Sequence, residues 1–171
     1  MNLYLMRHAN AGVPRDSELL DAKRSLVKEG KEQCMLMGRL MNALNIQVDV
    51  VIASPMKRST QTAQFVATEL GFEGRVEVEE ALGPDASYED FRAMLEKYQD
   101  RDEVLAVGHN PNLFRFLGHL ITGNGPAAIR MRKASVARVD LEHHPPLLRW
   151  LIDPRMARAI YASLPKNSKR K

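Results

Sequence analysis

"LYLMRHANA", residues 3–11, sends an apolar strand straight into a guanidinium and an imidazole. Leu3, Leu5 and Met6, with Tyr4 between them, read as a short buried strand. Strands of this kind normally stop at Gly, Pro, Asn or Asp, which turn the chain cheaply. Arg7 and His8 are instead costly to leave unpaired at the edge of a core. Taken alone, the pair also fits a surface arginine beside a satisfied loop histidine, because only perturbed or clustered ionisable groups point to function. The rest of the chain decides between these readings.

Two further strand ends repeat the pattern. "VDVVIAS", residues 48–54, is a β-branched run leading into "PMKRSTQTAQFVATEL", a helix closed by Gly71. "EVLAVG", residues 103–108, leads through "HNP" into the helical "NLFRFLGHLI". Ser54 and Asn110 are expected as N-caps, with Pro55 and Pro111 at the first helical positions. Arg58 then falls in the first turn of one helix, and His109 just before the cap of the other. Elsewhere, residues 26–44 read as an amphipathic helix, and a short strand is expected near Val76 and Val78. Tyr88, Phe91, Leu95 and Tyr98 mark another helix. "SVARVDL" and "LLRWLI" read as an antiparallel pair across "EHHPP", and a last helix starts at Pro154.

Alternation of strands and helices with short connections predicts a single-domain, three-layer α/β/α fold over residues 1–164. Its sheet is mainly parallel, with helices on both faces. In such a sheet the three junctions lie along the carboxyl edge of the strands, where open α/β folds bind ligands. Arg7, His8, Arg58 and His109 therefore meet in one crevice, and no acidic residue stands immediately beside them in sequence. Two helix starts add free N–H groups and partial positive charge. The set describes a site for a multiply charged anion, and phosphate is the obvious candidate.

Composition limits the alternatives. The chain has 171 residues, 44% hydrophobic and 27% charged, ordinary for one globular domain. No apolar run reaches spanning length and no basic region precedes an apolar stretch, so neither a membrane helix nor a secretory signal is expected. Cys34 is the only cysteine, which leaves no internal disulfide, argues against zinc and fits a reducing cytoplasm. Of the 25 basic residues, Lys166, Lys169, Arg170 and Lys171 lie in the terminal stretch, and the remaining 21 cancel the 21 acids. Residues 165–171 read as a basic, disordered tail on a neutral body. No basic stripe is interleaved with aromatics, so nucleic-acid binding is not expected.

The chemistry follows from the residue types. Arginine clamps phosphate oxygens bidentately and offsets charge that builds on them during transfer. A neutral imidazole is a competent nucleophile at phosphorus and would form an enzyme-bound phosphohistidine. A second imidazole, protonated, would hold another oxygen and screen its charge. Such a scheme needs no cofactor and no metal.

"LMRHANA", "ASPMKRSTQTA" and "VGHNP", in that order, resemble the signature blocks of the histidine phosphatase superfamily, with its phosphoglycerate-mutase-like fold. "DAKRSLVKEG" and the closing "RWLIDPRMARAI" resemble the small SixA-type phosphohistidine phosphatase branch, and the likeness covers nearly the whole chain. The resemblance implies His8 as nucleophile, Arg7 and Arg58 as phosphate clamps and His109 as the second phosphate-binding histidine. It places Asp21 and Arg24 at the rim of the site, where they read equally as a salt bridge at a helix start, and Asn10 is a further candidate for binding substrate or phosphate. The superfamily often has Gly where Ala9 stands, which matters if that position needs a positive φ. Ser25 and Val27 stand where the branch favours Pro and Thr, so the helix cap there is weaker.

Little spare length is available for a lid, and an uncovered site suits a phosphoryl group presented on another protein. Glu80, in "EEALGP", is the candidate general acid, with Glu79 and Asp85 as rivals and solvated loop acids as the bland alternative. A phosphoramidate leaving group relaxes the need for an acid. The expected activity is hydrolysis of protein-bound phosphohistidine through phospho-His8 by a monomer. The partner that the resemblance implies is a phosphorelay carrier, which would place the enzyme in signal transduction. The alternatives are a small-molecule phosphomonoesterase and a phosphoprotein-binding module without turnover. His119, His143 and His144 are assigned no role, since no third ligand for a metal accompanies the adjacent pair.

Overall fold

Along β1 (Asn2–Arg7), Leu3 and Leu5 face one side of the sheet while Tyr4 and Met6 face the other. All four are buried, so this strand lies inside a sheet covered on both faces. The computed structural model describes residues 1–123, 125 and 127–163; the tail expected at 165–171 lies outside the described residues. The other strands are β2 (Val50–Ala53), β3 (Glu77–Val78), β4 (Glu103–Gly108), β5 (Val136–Asp140) and β6 (Leu147–Ile152). Their order is β3-β2-β4-β1-β5-β6. β3, β2, β4 and β1 pair in parallel, and β5 is antiparallel to both β1 and β6.

The helices are α1 (Glu18–Ala22), α2 (Lys28–Ala43), α3 (Lys57–Leu70), α4 (Tyr88–Lys97), α5 (Asn112–Thr122) and α6 (Pro154–Ser163). Cys34, Met37 and Met41 of α2, Val66 of α3 and Ala157 of α6 pack with Tyr4 and Met6 on one face. Phe91 and Met94 of α4 and Leu113 and Leu117 of α5 pack with Leu3 and Leu5 on the other. The architecture is the single-domain three-layer α/β/α fold that the alternation implied. Among the described residues no helix is long and apolar enough to cross a membrane.

Two expected caps sit elsewhere. α3 starts at Lys57 with Met56 as its N-cap, and α5 starts at Asn112 with Pro111 as its N-cap. Ser54 is fully buried and its hydroxyl is committed to His109, while the Asn110 amide donates to the carbonyl of Met131. Neither side chain is free to close its helix, because each is held by a buried partner instead. The weak cap at α2 is as expected: Val27 is the N-cap and makes no side-chain cap bond. α1 was not legible in sequence. It has five residues, none buried, and so no apolar periodicity.

Candidate active site

The sheet order places β4 and β1 side by side, with β2 on one flank and β5 on the other. Arg7 ends β1 opposite Gly108 of β4, and the Ser54 N–H after β2 donates to the carbonyl of Val107. His8, His109 and Arg58 therefore converge at one carboxyl edge. The rings of His8 and His109 lie 5.0 Å apart, and both residues, like Arg58, are buried. The crevice expected from the sequence exists.

Each reacting group is held by its other end. His8 Nδ1 lies 2.8 Å from the carbonyl of Ala9, so that nitrogen carries the proton and Nε2 keeps its lone pair. The Ala9 N–H donates to Thr62 Oγ1 (3.0 Å), and Thr62 donates to the carbonyl of Arg58 (2.7 Å). That chain of bonds ties the loop after β1 to α3. Ala9 itself is outside the positive-φ region, so the Ala in place of Gly is unstrained. Ala134, at φ 59, is the strained residue nearby, and its N–H faces the carbonyls of Arg7 and His8.

His109 Nε2 lies 2.7 Å from Ser54 Oγ and 3.2 Å from Ser59 Oγ. Ser54 Oγ also accepts the N–H of Met56, so its own proton is directed at the ring. His109 is then the Nδ1–H tautomer, with that N–H buried and unpartnered. Arg7 Nε and Arg58 Nε are likewise buried, and none of these three nitrogens has a hydrogen-bond partner among the described residues. Arg7 Nη1 is anchored on the carbonyl of Met131 (3.0 Å), and Arg58 Nη1 on the carbonyl of Asp21 (2.9 Å).

Electrostatics set the protonation states. Burial, then the neighbouring His109 ring and the charged arginines, pushes the His8 imidazole down to about 3, against a lesser upward pull from the Ala9 carbonyl. Burial, then Arg58, Arg24 and Arg7, pushes His109 to about 3 as well. Both rings are neutral at pH 7. A buried ring beside guanidiniums disfavours a second positive charge, which works against the protonated second imidazole expected from the sequence. It still offers a donor through Nδ1–H.

The rim residues divide. Asp21 lies on α1, and its carboxylate pairs with Arg58 (3.0 Å) and with Arg24 (2.8 Å). Arg24 also donates to the carbonyls of Ala11 and Gly12. An acid absent from the sequence neighbourhood of Arg58 is therefore supplied from 37 residues away. Asn10 is spent internally, with its amide on Glu29 and its Oδ1 accepting from Lys133 and from the Gly12 N–H. A Cβ on Gly30 would come within 2.0 Å of the Asn10 carbonyl oxygen, so α2 can approach this loop only because position 30 is glycine.

Glu80 makes no hydrogen bond or ion pair with either histidine among the described residues. It is exposed, in a 3-10 turn (Glu80–Leu82), and borders a shallow pocket with Glu79, Ala81, Asp85 and Lys97 that none of the four converging residues lines. Glu79 is committed to Lys97 and Tyr98; burial raises its carboxyl, and these bonds outweigh that and hold it below the usual range. Of the residues without an assigned role, His119 stacks on Tyr88 and His143 faces Asp140. No group of three or more His, Cys, Asp or Glu among the described residues is arranged to hold a metal. Sequence reasoning missed Ser54 as a partner of His109, and also Ser59 and Thr62. The available signal was two hydroxyls on the buried stripe of α3, beside Ala63 and Val66.

A family model described as the histidine phosphatase superfamily (branch 1) matches residues 3–84. An uncharacterized protein of Picosynechococcus is 28% identical over 139 residues, covering 80% of this chain and 82% of its own length. The phosphohistidine phosphatase SixA of Escherichia coli K12 is 25% identical over 165 residues, covering 94% of this chain and all of its own length. A structure of the protein histidine phosphatase SixA complexed with tungstate matches with a TM-score of 0.80 at 24% identity, over 91% of this chain and 98% of that one. With its fold and motif order, the chain is similar to branch 1 of the histidine phosphatase superfamily through residues 3–84, and to phosphatases of that superfamily over nearly its whole length.

Proposed function

We propose that the protein hydrolyses phosphohistidine on another protein, with His8 as the nucleophile and Arg7, Arg58 and His109 as the phosphate-binding groups. The observation that carries this reading is the set of unpartnered nitrogens. Arg7 Nε, Arg58 Nε and His109 Nδ1 are buried donors without acceptors among the described residues, beside His8, whose Nε2 bears a lone pair. Buried donors left unpaired cost stability, and a phosphoryl group supplies the acceptors. The SixA structure of the same fold is complexed with tungstate, a tetrahedral oxyanion.

In the first step His8 Nε2 bonds to phosphorus as the P–N bond to the substrate imidazole breaks, and the freed nitrogen of that imidazole takes up a proton from solvent. Water then attacks phospho-His8, releasing inorganic phosphate and restoring the neutral ring. The guanidiniums and His109 Nδ1–H hold the equatorial oxygens through both displacements. Two features favour P–N over P–O cleavage. Asp21, the carboxylate paired with Arg58, is also bound to Arg24, so it is not free to protonate an alkoxide. Between β3 and α4 the chain forms only a 3-10 turn, which suits a site that accepts a group carried on a protein surface.

The test is release of inorganic phosphate from a histidine-phosphorylated carrier protein, run beside a panel of phosphomonoesters with His8→Ala as control. Fast, His8-dependent release from the carrier is expected. Efficient turnover of the monoesters alone would overturn the substrate assignment and favour a small-molecule phosphatase. Full activity of His8→Ala would overturn the mechanism.

A further inference from the structure

On its β5 side the crevice opens into a cleft that the proposed chemistry does not use. A cavity of about 340 Å³ is bordered by Arg7, Arg130, Arg132, Lys133, Arg155 and Arg158, and Glu29 is its one bordering carboxylate. Three separate stretches supply these cations. Arg7 ends β1, residues 130–133 lead into β5, and Arg155 and Arg158 lie in the first turns of α6. β5 runs antiparallel to β1, so its start meets the β1 end, and β6 runs back to deliver α6 to the same edge. A chain body with as many acids as bases thus gathers six cations on one flank of its site.

Their availability differs. Arg132 pairs with Asp153 (3.3 Å), Lys133 donates to Asn10 (2.8 Å), and Arg7 is anchored on Met131. Glu29 is occupied by Asn10 and Gln33. Arg130, Arg155 and Arg158 are exposed and make no ion pair among the described residues. Burial, then Arg7 and Arg24, pulls the Lys133 ammonium below its usual value.

The arrangement points to a surface rather than to a second small-molecule subsite. A phosphate subsite needs preorganised, buried donors, and Arg7, which already serves the crevice, is the one bordering residue with a buried unpartnered nitrogen. Three exposed guanidiniums on long stems instead match carboxylates spread over a protein surface. Charges at the rim of an interface chiefly set the encounter rate and the choice of partner.

We propose that this cleft docks the acidic surface of the phosphorylated partner protein. Carboxylates flanking its phosphohistidine would sit against Arg130, Arg155 and Arg158 while the phosphoryl group enters past Arg7. The proposal rests on the phosphohistidine reading above and adds to it that the protein selects acidic surroundings for the phosphohistidine.

The experiment uses synthetic phosphohistidine peptides identical except for flanking Glu, Gln or Lys, with p-nitrophenyl phosphate as a probe of the catalytic groups alone. The expected result at low salt is a kcat/KM about ten-fold higher for the Glu-flanked than for the Lys-flanked peptide, carried mainly by KM. The gap should shrink as salt is raised. In Arg155→Glu/Arg158→Glu the order should reverse, with turnover of p-nitrophenyl phosphate unchanged within about two-fold because both residues are exposed. Equal turnover of all three peptides would overturn the docking proposal and leave the substrate reading standing. A preference for Glu that persists in the double variant would also overturn this cleft as its source. Turnover of p-nitrophenyl phosphate with none of any peptide would overturn the phosphohistidine reading and the docking proposal together.

Discussion

On the β2 side of the histidines, Arg58 is buried and shares its charge with Asp21. On the β5 side, Arg130, Arg155 and Arg158 are exposed and pair with no carboxylate among the described residues. The first wall spends its charge internally, which fixes one guanidinium in one orientation. The second leaves its charge free, which suits recognition of something outside the chain. A buried cation without a partner is strongly destabilising, whereas an exposed one is solvated at little cost. Location therefore decides which arginines are available and which are locked.

The largest expected effect lies where the two walls meet. Asn10 joins them through the Val27 N–H on its carbonyl and Lys133 on its Oδ1, and Gly30 permits the close approach. Gly30→Ala should cost about 3 kcal/mol by forcing backbone apart. It should also lower turnover by displacing the loop that carries His8; denaturant unfolding and kinetics on the same samples check both. An unchanged midpoint would mean that the approach is not needed.

Asp21→Asn tests the locked wall. It should cost about 2 kcal/mol and lower kcat/KM about ten-fold, because Arg58 keeps its burial and loses its counter-charge. Arg155→Ala should shift stability by less than about 0.5 kcal/mol. Equal effects of the two substitutions would erase the distinction between the walls.

Acid sensitivity reads the centre. His8 and His109 have folded pKa values of about 3, against an ordinary 6.5, so they stay neutral in the fold and protonate on unfolding. Stability is fully present above the ordinary imidazole value and falls as pH drops toward the folded one. Each histidine should contribute a loss of about 1.4 kcal/mol per pH unit in that window. Replacing both with Asn should flatten the decline between pH 6.5 and about 5, as followed by unfolding midpoints; an unaltered slope would contradict neutral burial of the rings.

A modest gain in stability sharpens the description of the rim. Val27 caps α2 without a side-chain bond, so Val27→Thr should stabilise by about 1 kcal/mol while leaving kinetics unchanged.

The sequence by itself determined the architecture and the four converging residues. Apolar strands alternating with helical periods specify a parallel sheet, and parallel sheets put every strand-to-helix junction on one edge. Arg7, His8, Arg58 and His109 were legible because each sits directly at such a junction. Local pattern failed where a side chain had two possible partners. Ser54 and Asn110 looked like caps, yet they bond to His109 and Met131, partners fixed only by folding. Glu80 looked placed for proton donation, but the 3-10 turn leaves it exposed. Asp21 reaches Arg58 from another element, and the six cations of the cleft come from three. Charge pairing across long sequence separations depends on distance in space, which composition averages away. Only the tertiary structure decided which arginines are neutralised and which face outward.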